Sequence, residues 1–283
     1  MYNLSTSFDE YLRGEQKKYP QLKVQDIQLL RKSLEKEKQI PFISEKKLIA
    51  FLHSCYFDVE MARITAIECY KCYFEVPQLF CNLDPRADDV LLNYDCTSLG
   101  DLTYNLKSKN DRYLYWQFKD TNPEMLNYMA IFKVLYMWME RTLLTEGTFD
   151  GVIIIINTAG LSWRHILKLP IGAVSKLLKF LQEGLPLRLK MVHVLNTGPS
   201  VTMLLNIISP FIGKELMSKI MFHASGSINV FDHIPKNLLP FEVSGSGKSH
   251  NFYNDCFYEF ITEYREWFLE QNCELKKYAV ARN

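Results

Sequence analysis

The chain is poor in the residues that interrupt regular structure, with 12 glycines and 11 prolines among 283 positions, and it carries no low-complexity stretch or internal repeat. That composition excludes a disordered or linker-dominated protein. Net charge is missing as well: 33 basic and 32 acidic side chains leave a formal +1, which offers no global field to hold nucleic acid. No run reaches the ~20 apolar residues of a membrane span. The greasiest stretch, residues 201–212 (VTMLLNIISPFI), is too short and contains Asn206, Ser209 and Pro210. The opening MYNLSTSFDEYL has neither the positive start nor the apolar middle of a secretory signal. Seven cysteines (55, 69, 72, 81, 96, 256 and 273) are an odd number without framework spacing, as free thiols in a reducing compartment would be. Cys69 and Cys72 form a CxxC on a helical pattern, but no second pair and no nearby histidine completes four zinc ligands. These absences point to a soluble cytoplasmic protein with structural thiols and no metal.

Signatures of catalysis are absent too. There is no G-x-S-x-G elbow and no HExxH, and the six histidines (53, 165, 193, 223, 233 and 250) are scattered singly. One stretch, residues 241–249 (FEVSGSGKS), resembles a phosphate loop, yet Glu242 stands where the first glycine is needed. A carboxylate there repels phosphate and denies the left-handed backbone that glycine supplies. The apolar run 152–156 also ends in Asn157, where a metal-holding Asp would be expected. Enzymatic chemistry and a cofactor are not expected.

What is present is a large core: 48% hydrophobic and 13% aromatic residues. Residues 1–83 read as a small all-helical lobe. Leu22, Ile27, Leu30 and Leu34 keep near-helical spacing, Ser44 starts a further amphipathic turn, and Asp58 caps a third helix. From residue 84 the pattern changes. Residues 112–118 (RYLYWQF) are β-prone, and Asn122-Pro123 opens a helical pattern running to Leu144. Residues 151–157 (GVIIIIN) place five β-branched apolar residues in a row, the mark of a strand buried on both faces. A helix over 166–182, a second buried strand over 186–196 and the greasy helix from Val201 follow. Strands alternating with helices predict an α/β domain with a mainly parallel sheet over 84–248, and 252–269 reads as one helix within a C-terminal segment, 249–283.

Four pieces in this order resemble the CRAL-TRIO family of lipid carriers. They are residues 48–62 (LIAFLHSCYFDVEMA), the strand 186–196 (PLRLKMVHVLN, of the form P-x-R-x-K-x-x-H-x-x-N), SPFI at 209–212 followed by KIMFH at 219–223, and LPFEVSG at 239–245. The resemblance spans 22–269. It implies a helical lobe on an α/β lobe whose sheet floors an apolar pocket, gated by a mobile helix that opens at a membrane.

Carried over by position, the pocket implied by the resemblance takes Ile131, Val134, Leu135 and Trp138 from the long helix, and Val152, Ile154 and Ile156 from the buried strand. It adds Leu169, Leu177, Phe180 and Leu181 from the next helix, and Leu189 and Val192 from the inner strand. The lid is 200–212, with Val201, Leu204, Leu205, Ile208, Phe211 and Ile212 apolar. Val134 and Trp138 replace the serines that anchor the ligand hydroxyl in tocopherol-binding members, and Trp138 argues for a slimmer ligand. Of the cations that meet a phosphoinositide headgroup, Arg188, Lys190 and Lys219 are kept, whereas Cys55 and Glu215 stand in the other places.

The implied function is binding and transfer of a tocopherol, retinoid, carotenoid or other isoprenoid-like lipid by a monomer that touches membranes transiently. A phosphoinositide exchanger and a non-transporting adaptor are the alternatives.

Overall fold

The structure, a computed structural model, describes residues 2–37, 40–104, 106 and 110–280. Helices α1 (Phe8–Lys18), α2 (Val24–Leu34), α3 (Glu45–Ser54) and α4 (Val59–Glu75) form the helical lobe. Ser7, Ser44 and Asp58 cap α1, α3 and α4, each side chain accepting from the backbone N–H three residues on, at 3.2, 3.4 and 2.9 Å. Short helices α5 (Pro77–Phe80) and α6 (Asp88–Cys96) lead from this lobe into the sheet.

The sheet runs β1 (Thr97–Asp101), β2 (Asp111–Phe118), β3 (Gly151–Asn157), β4 (Leu189–Thr197) and β5 (Ile220–Ala224), in spatial order β1-β2-β3-β4-β5. Only β1 pairs antiparallel; β2 to β5 are parallel neighbours. Each parallel step therefore needs a crossover, and those crossovers carry α7 (Tyr128–Thr145), then α8 (Trp163–Leu167) and α9 (Ile171–Lys179), then α10 (Pro199–Ile208) and α11 (Lys214–Ser218). Crossovers of one hand between strands taken in order all land on the same side of a sheet. Leu114, Val152 and Ile154 accordingly pack with residues of α7 and α9, while Val192 and Val194 pack with Val201 and Leu216. The other face, through Tyr115, Ile153, Ile155 and Leu195, packs on Val230, Ile234, Leu238 and Leu239 from the segment that follows β5.

Three boundaries differ from the sequence reading. The long helix starts at Tyr128, capped by Asn127, because Asn122 holds a turn first: its carbonyl accepts from Met125 N–H (3.1 Å) and its side chain from Glu124 N–H (3.1 Å). The helix expected over 166–182 is split by Pro170 and closes in a π turn, Phe180–Gly184. There Gly184 meets the α4 backbone so closely that a Cβ would lie 2.8 Å from Cys69 N and Cα. The C-terminal helix is two, α12 (His250–Thr262) and α13 (Arg265–Val280).

The helical lobe is bound to the end of α7 and the turn after it. Tyr11 Oη donates to Leu143 O (3.2 Å), Tyr19 Oη to Asp150 Oδ1 (3.1 Å) and Lys47 Nζ to Glu140 Oε1 (2.6 Å). Glu15, fully buried, accepts from Thr148 N–H (3.0 Å), the Thr148 hydroxyl, Tyr2 Oη (3.1 Å) and Lys18 Nζ (2.8 Å). A buried carboxylate with this many donors fixes the relative position of the two lobes.

Across the sheet from the helices, His193 Nδ1 and His223 Nε2 lie 2.9 Å apart, with the His233 ring 5.6 Å from that of His193. Burial first, then the neighbouring imidazoles His223 and His233, pulls the His193 pKa down to about 4, and burial lowers His223 as well. In the unfolded chain these groups protonate near 6.5, so below that pH the unfolded state binds more protons and stability falls. Urea midpoints are therefore expected to drop steadily from pH 6.5 towards pH 4, with a shallower slope in His193→Asn. A slope unchanged by that substitution would remove His193 from the account.

Candidate functional site

β3 is hydrogen-bonded on both sides, and its residues on the far face, Ile153 and Ile155, are buried. On the helical face Ile154 and Ile156 are only half-buried, although α7, α9 and α10 lie over that side. Apolar strand residues that keep accessible surface beneath a helical layer make a surface of the kind that floors an apolar ligand cleft. Half-buried Leu135 of α7, Leu178 and Leu181 at the end of α9, and Leu205 and Ile212 of the α10 segment border it.

Helix α10 packs over this surface and is unusual in composition. Its sequence, PSVTMLLNII, is apolar on most sides, and among its residues only Val201 is buried. Leu204, Leu205, Ile208 and Ile212 are half-buried, and Phe211 keeps 38% of its surface. A helix so apolar is normally enclosed in a core or seated in a membrane surface. On α8 and α9, which both contact α10, Trp163, Leu167 and Ile171 are exposed by 57, 68 and 47%, and Met203 of α10 itself by 36%.

The positions expected to line a pocket divide into two groups. Ile154, Ile156, Leu189, Val192, Val201, Leu205 and Ile212 lie together in one cluster at β3, β4 and α10. Val134, Trp138, Val152, Leu177 and Phe180 lie in the main core, with half-buried Leu135 and Leu181 against it; Ile131 is buried and Leu169 half-buried. Trp138 is turned towards α12: its ring lies parallel to that of Phe257, centroids 6.4 Å apart, and also contacts Phe149. It faces a small cavity of about 10 Å³, room for one water, lined with Asp101, Tyr104, Phe257 and Phe260. Trp138 thus does not narrow the space beneath α10. Sequence reasoning missed Leu161, Leu178, Val194, Leu216 and Ile220. Val194 was recoverable by its two-residue offset from Val192, and Leu178 by its place three before Leu181.

The three cations expected at a headgroup are already engaged. Lys190 is the extra residue of a bulge, since Val152 and Ile153 pair with Leu189 and Met191, and its ammonium reaches Asp111 at 2.6 Å. Lys219 pairs with Glu215 at 2.7 Å. Arg188 donates twice to the His53 carbonyl (2.8 and 2.5 Å) and lies 4.1 Å over the Tyr56 ring. Tyr56 and Phe57 both adopt left-handed backbone (φ 54° and 66°), a conformation held there by the surrounding contacts. Burial first, then Arg188 and Lys18, hold His53 down to about 3, so this corner is neutral imidazole beside a fixed guanidinium.

The glycine-serine stretch is no phosphate cradle. Gly245 N–H donates to Pro240 O (3.1 Å), Ser246 N–H to Lys236 O (2.8 Å) and Gly247 N–H to Leu239 O (2.9 Å), so the amides that would wrap a phosphate close a turn instead. A Cβ at Gly245 would lie 2.0 Å from Leu239 O, and Ser244 takes a left-handed φ of 63°. Burial pushes the Cys69 thiol up to about 12 and Cys72 to about 11, keeping both protonated, and no metal-holding cluster occurs among the described residues.

A mainly parallel sheet with its crossovers over one apolar face, and an apolar helix over that face, is an α/β architecture suited to hold an apolar ligand. Residues 104–245 match the CRAL/TRIO domain and residues 19–90 the Pinta-like UBA domain. The chain belongs to the CRAL/TRIO family of lipid-binding domains. It is 25% identical over 244 residues to proteins of Mus musculus and Homo sapiens, each called "Alpha-tocopherol transfer protein-like", a match covering 83% of this chain and 68% of theirs. Its fold is similar to a solved structure titled "Crystal structure of Sfh5", with a TM-score of 0.52 at 14% identity, over 81% of this chain and 90% of that one. No helix among the described residues is long and apolar enough to cross a membrane.

If Arg188 chiefly ties the sheet to the α3–α4 turn, Arg188→Ala leaves the His53 carbonyl without its partner and costs about 1–3 kcal/mol in urea denaturation. Lys219→Ala, whose partner is exposed, shifts stability by about 0.5 kcal/mol or less. Equal effects would contradict the structural role of Arg188.

Proposed function

We propose that the protein binds a small hydrophobic lipid of the tocopherol, retinoid, carotenoid or other isoprenoid kind and transfers it between membranes, without catalysis and without a cofactor. The observation that carries this reading is α10: an apolar helix with one buried residue, lying across a half-buried apolar floor. A lipid enclosed there gains about 2.5 kcal/mol for each 100 Å² of apolar surface it hides from water. The likeness to proteins named for tocopherol transfer supports the ligand class. Pocket positions are Leu135, Ile154, Ile156, Leu181, Leu189 and Val192, and the lid is α10 with Phe211 and Ile212.

Release follows from the same helix. Trp163, Leu167, Ile171 and Met203 enter the membrane interface, which gives α10 an apolar surface to move onto and opens the cleft to the bilayer. The protein works as a monomer in the cytoplasm, bound to membranes only during exchange. In a vesicle-to-vesicle assay with labelled α-tocopherol, the double variant Trp163→Asp, Leu167→Asp transfers at least tenfold more slowly while retaining tocopherol in solution. Unchanged transfer would refute docking through α8.

The phosphoinositide reading rests on Arg188, Lys190 and Lys219, and their partners Asp111, Glu215 and the His53 carbonyl count against it. Transfer rates are accordingly expected to match with and without phosphoinositide in the vesicles, and Lys190→Glu to change them less than twofold. A strong stimulation by phosphoinositide that Lys190→Glu abolishes would establish the exchanger instead.

A further inference from the structure

The ligand class proposed above can be narrowed by one side chain on the cleft face of the sheet. Trp116 of β2 pairs across the sheet with Ile156 of β3 and Leu99 of β1, so its indole lies on the face that carries Ile154 and Ile156. It packs half-buried against the core that includes Leu99, Leu114 and Val134, and its ring lies 4.7 Å from that of Phe118. Trp116 is two residues before the end of β2 at Phe118, so it stands at the carboxyl end of the parallel strands. Its Nε1–H is buried and has no acceptor among the described residues.

Other polar side chains of β2 are at least partly paired. Tyr115, next along β2 on the opposite face, donates its hydroxyl to Gln117 Oε1 at 2.6 Å. Arg112, which shares the cleft face, places its terminal nitrogens on Asp101 and Glu146, while its Nε is likewise without an acceptor among the described residues. A buried indole N–H without a partner costs about 1–3 kcal/mol, so indoles buried in proteins usually find an acceptor. The group is a donor only, and what satisfies it must bring a lone pair.

We propose that Trp116 Nε1–H is the hydrogen-bond donor for an oxygen of the bound lipid, and that the protein selects an oxygen-bearing isprenoid-like lipid (an alcohol, aldehyde, ketone or ether) over the matching hydrocarbon. The oxygen sits over the carboxyl end of β2, and the apolar chain runs across Ile156 and Ile154 beneath α10. Polar anchoring thus comes from the sheet, whereas the long helix offers the apolar Val134 and the core-packed Trp138. Trp116 is a specificity-determining residue, and its role rests on the lipid-carrier reading.

Phytol and phytane, a branched C20 alcohol and its saturated hydrocarbon, test it as a matched pair. Retention of each radiolabelled lipid is measured by gel filtration for the full chain and for Trp116→Phe, which keeps an aromatic ring and removes the donor. The expected result is a preference of the parent for phytol that falls about three- to tenfold in Trp116→Phe, with phytane unaffected. The four tryptophans also give separable indole N–H resonances in a ¹⁵N-tryptophan sample, the one missing from Trp116→Phe being that of Trp116. This resonance is expected to move downfield with phytol and to stay in place with phytane. Equal loss of both lipids in the variant, no loss of either, or an indole resonance indifferent to bound phytol overturns the role of Trp116 while leaving the carrier intact. Failure of the parent to retain any apolar lipid, α-tocopherol included, overturns both.

Discussion

Everything at the cleft depends on the parallel pairing of β2, β3, β4 and β5 in sequence order. Because each step to the next strand must cross over with the same hand, α7, α9 and α10 are gathered on one face. The opposite face is left for the segment after β5, which brings Val230, Ile234 and Leu239 to seal it. Under the proposed function, the element that moves is the least buried of the helices on the covered side. Among the crossover helices that is α10, with Val201 alone enclosed.

The two faces of one strand carry the functional division. β3 is apolar throughout, yet Ile153 and Ile155 are buried while Ile154 and Ile156 keep accessible surface. An unbroken β-branched run is what burial on both faces requires, and it equally suits a floor that meets an apolar ligand. Near Ile154 and Ile156 the face is apolar apart from Trp116, the buried Arg112–Asp101–Glu146 ion network lying at the opposite end of β2, whereas His193, His223 and the Tyr115, Gln117 and Asn157 network line the far side. This separation keeps the lipid side dry and leaves hydrogen bonding to hold the rigid side together.

The strands were legible because their signal is local. GVIIIIN reads directly as β3, and the inner strand was placed within a few residues of Leu189–Thr197. β1 was not legible: TSLGD lacks an apolar run and becomes a strand only by pairing with β2 and meeting α12, where Leu99 N–H donates to Asn254 Oδ1 at 2.9 Å. Helix breaks followed the rules at Pro170, but the late start of α7 depended on a side-chain turn at Asn122 that an apolar pattern cannot reveal. The cleft was half legible. Which residues are apolar could be read, yet whether an apolar residue faces a cleft or a core depends on the neighbour across from it, and Trp138 found Phe257. The cations were visible as charges, but their occupation by Asp111, Glu215 and a backbone carbonyl was not.

The central claim is that the apolar face beneath α10 exists to hold a lipid. The direct measurement is the identity and amount of lipid that copurifies with the protein from a eukaryotic cytosol, by solvent extraction and mass spectrometry of the native chain beside a variant with Ile154→Asp in the floor. The account predicts one dominant isoprenoid-like lipid near one molecule per chain, absent from a folded variant. A parent that carries no apolar lipid above background, and whose melting temperature no added lipid raises, would contradict it.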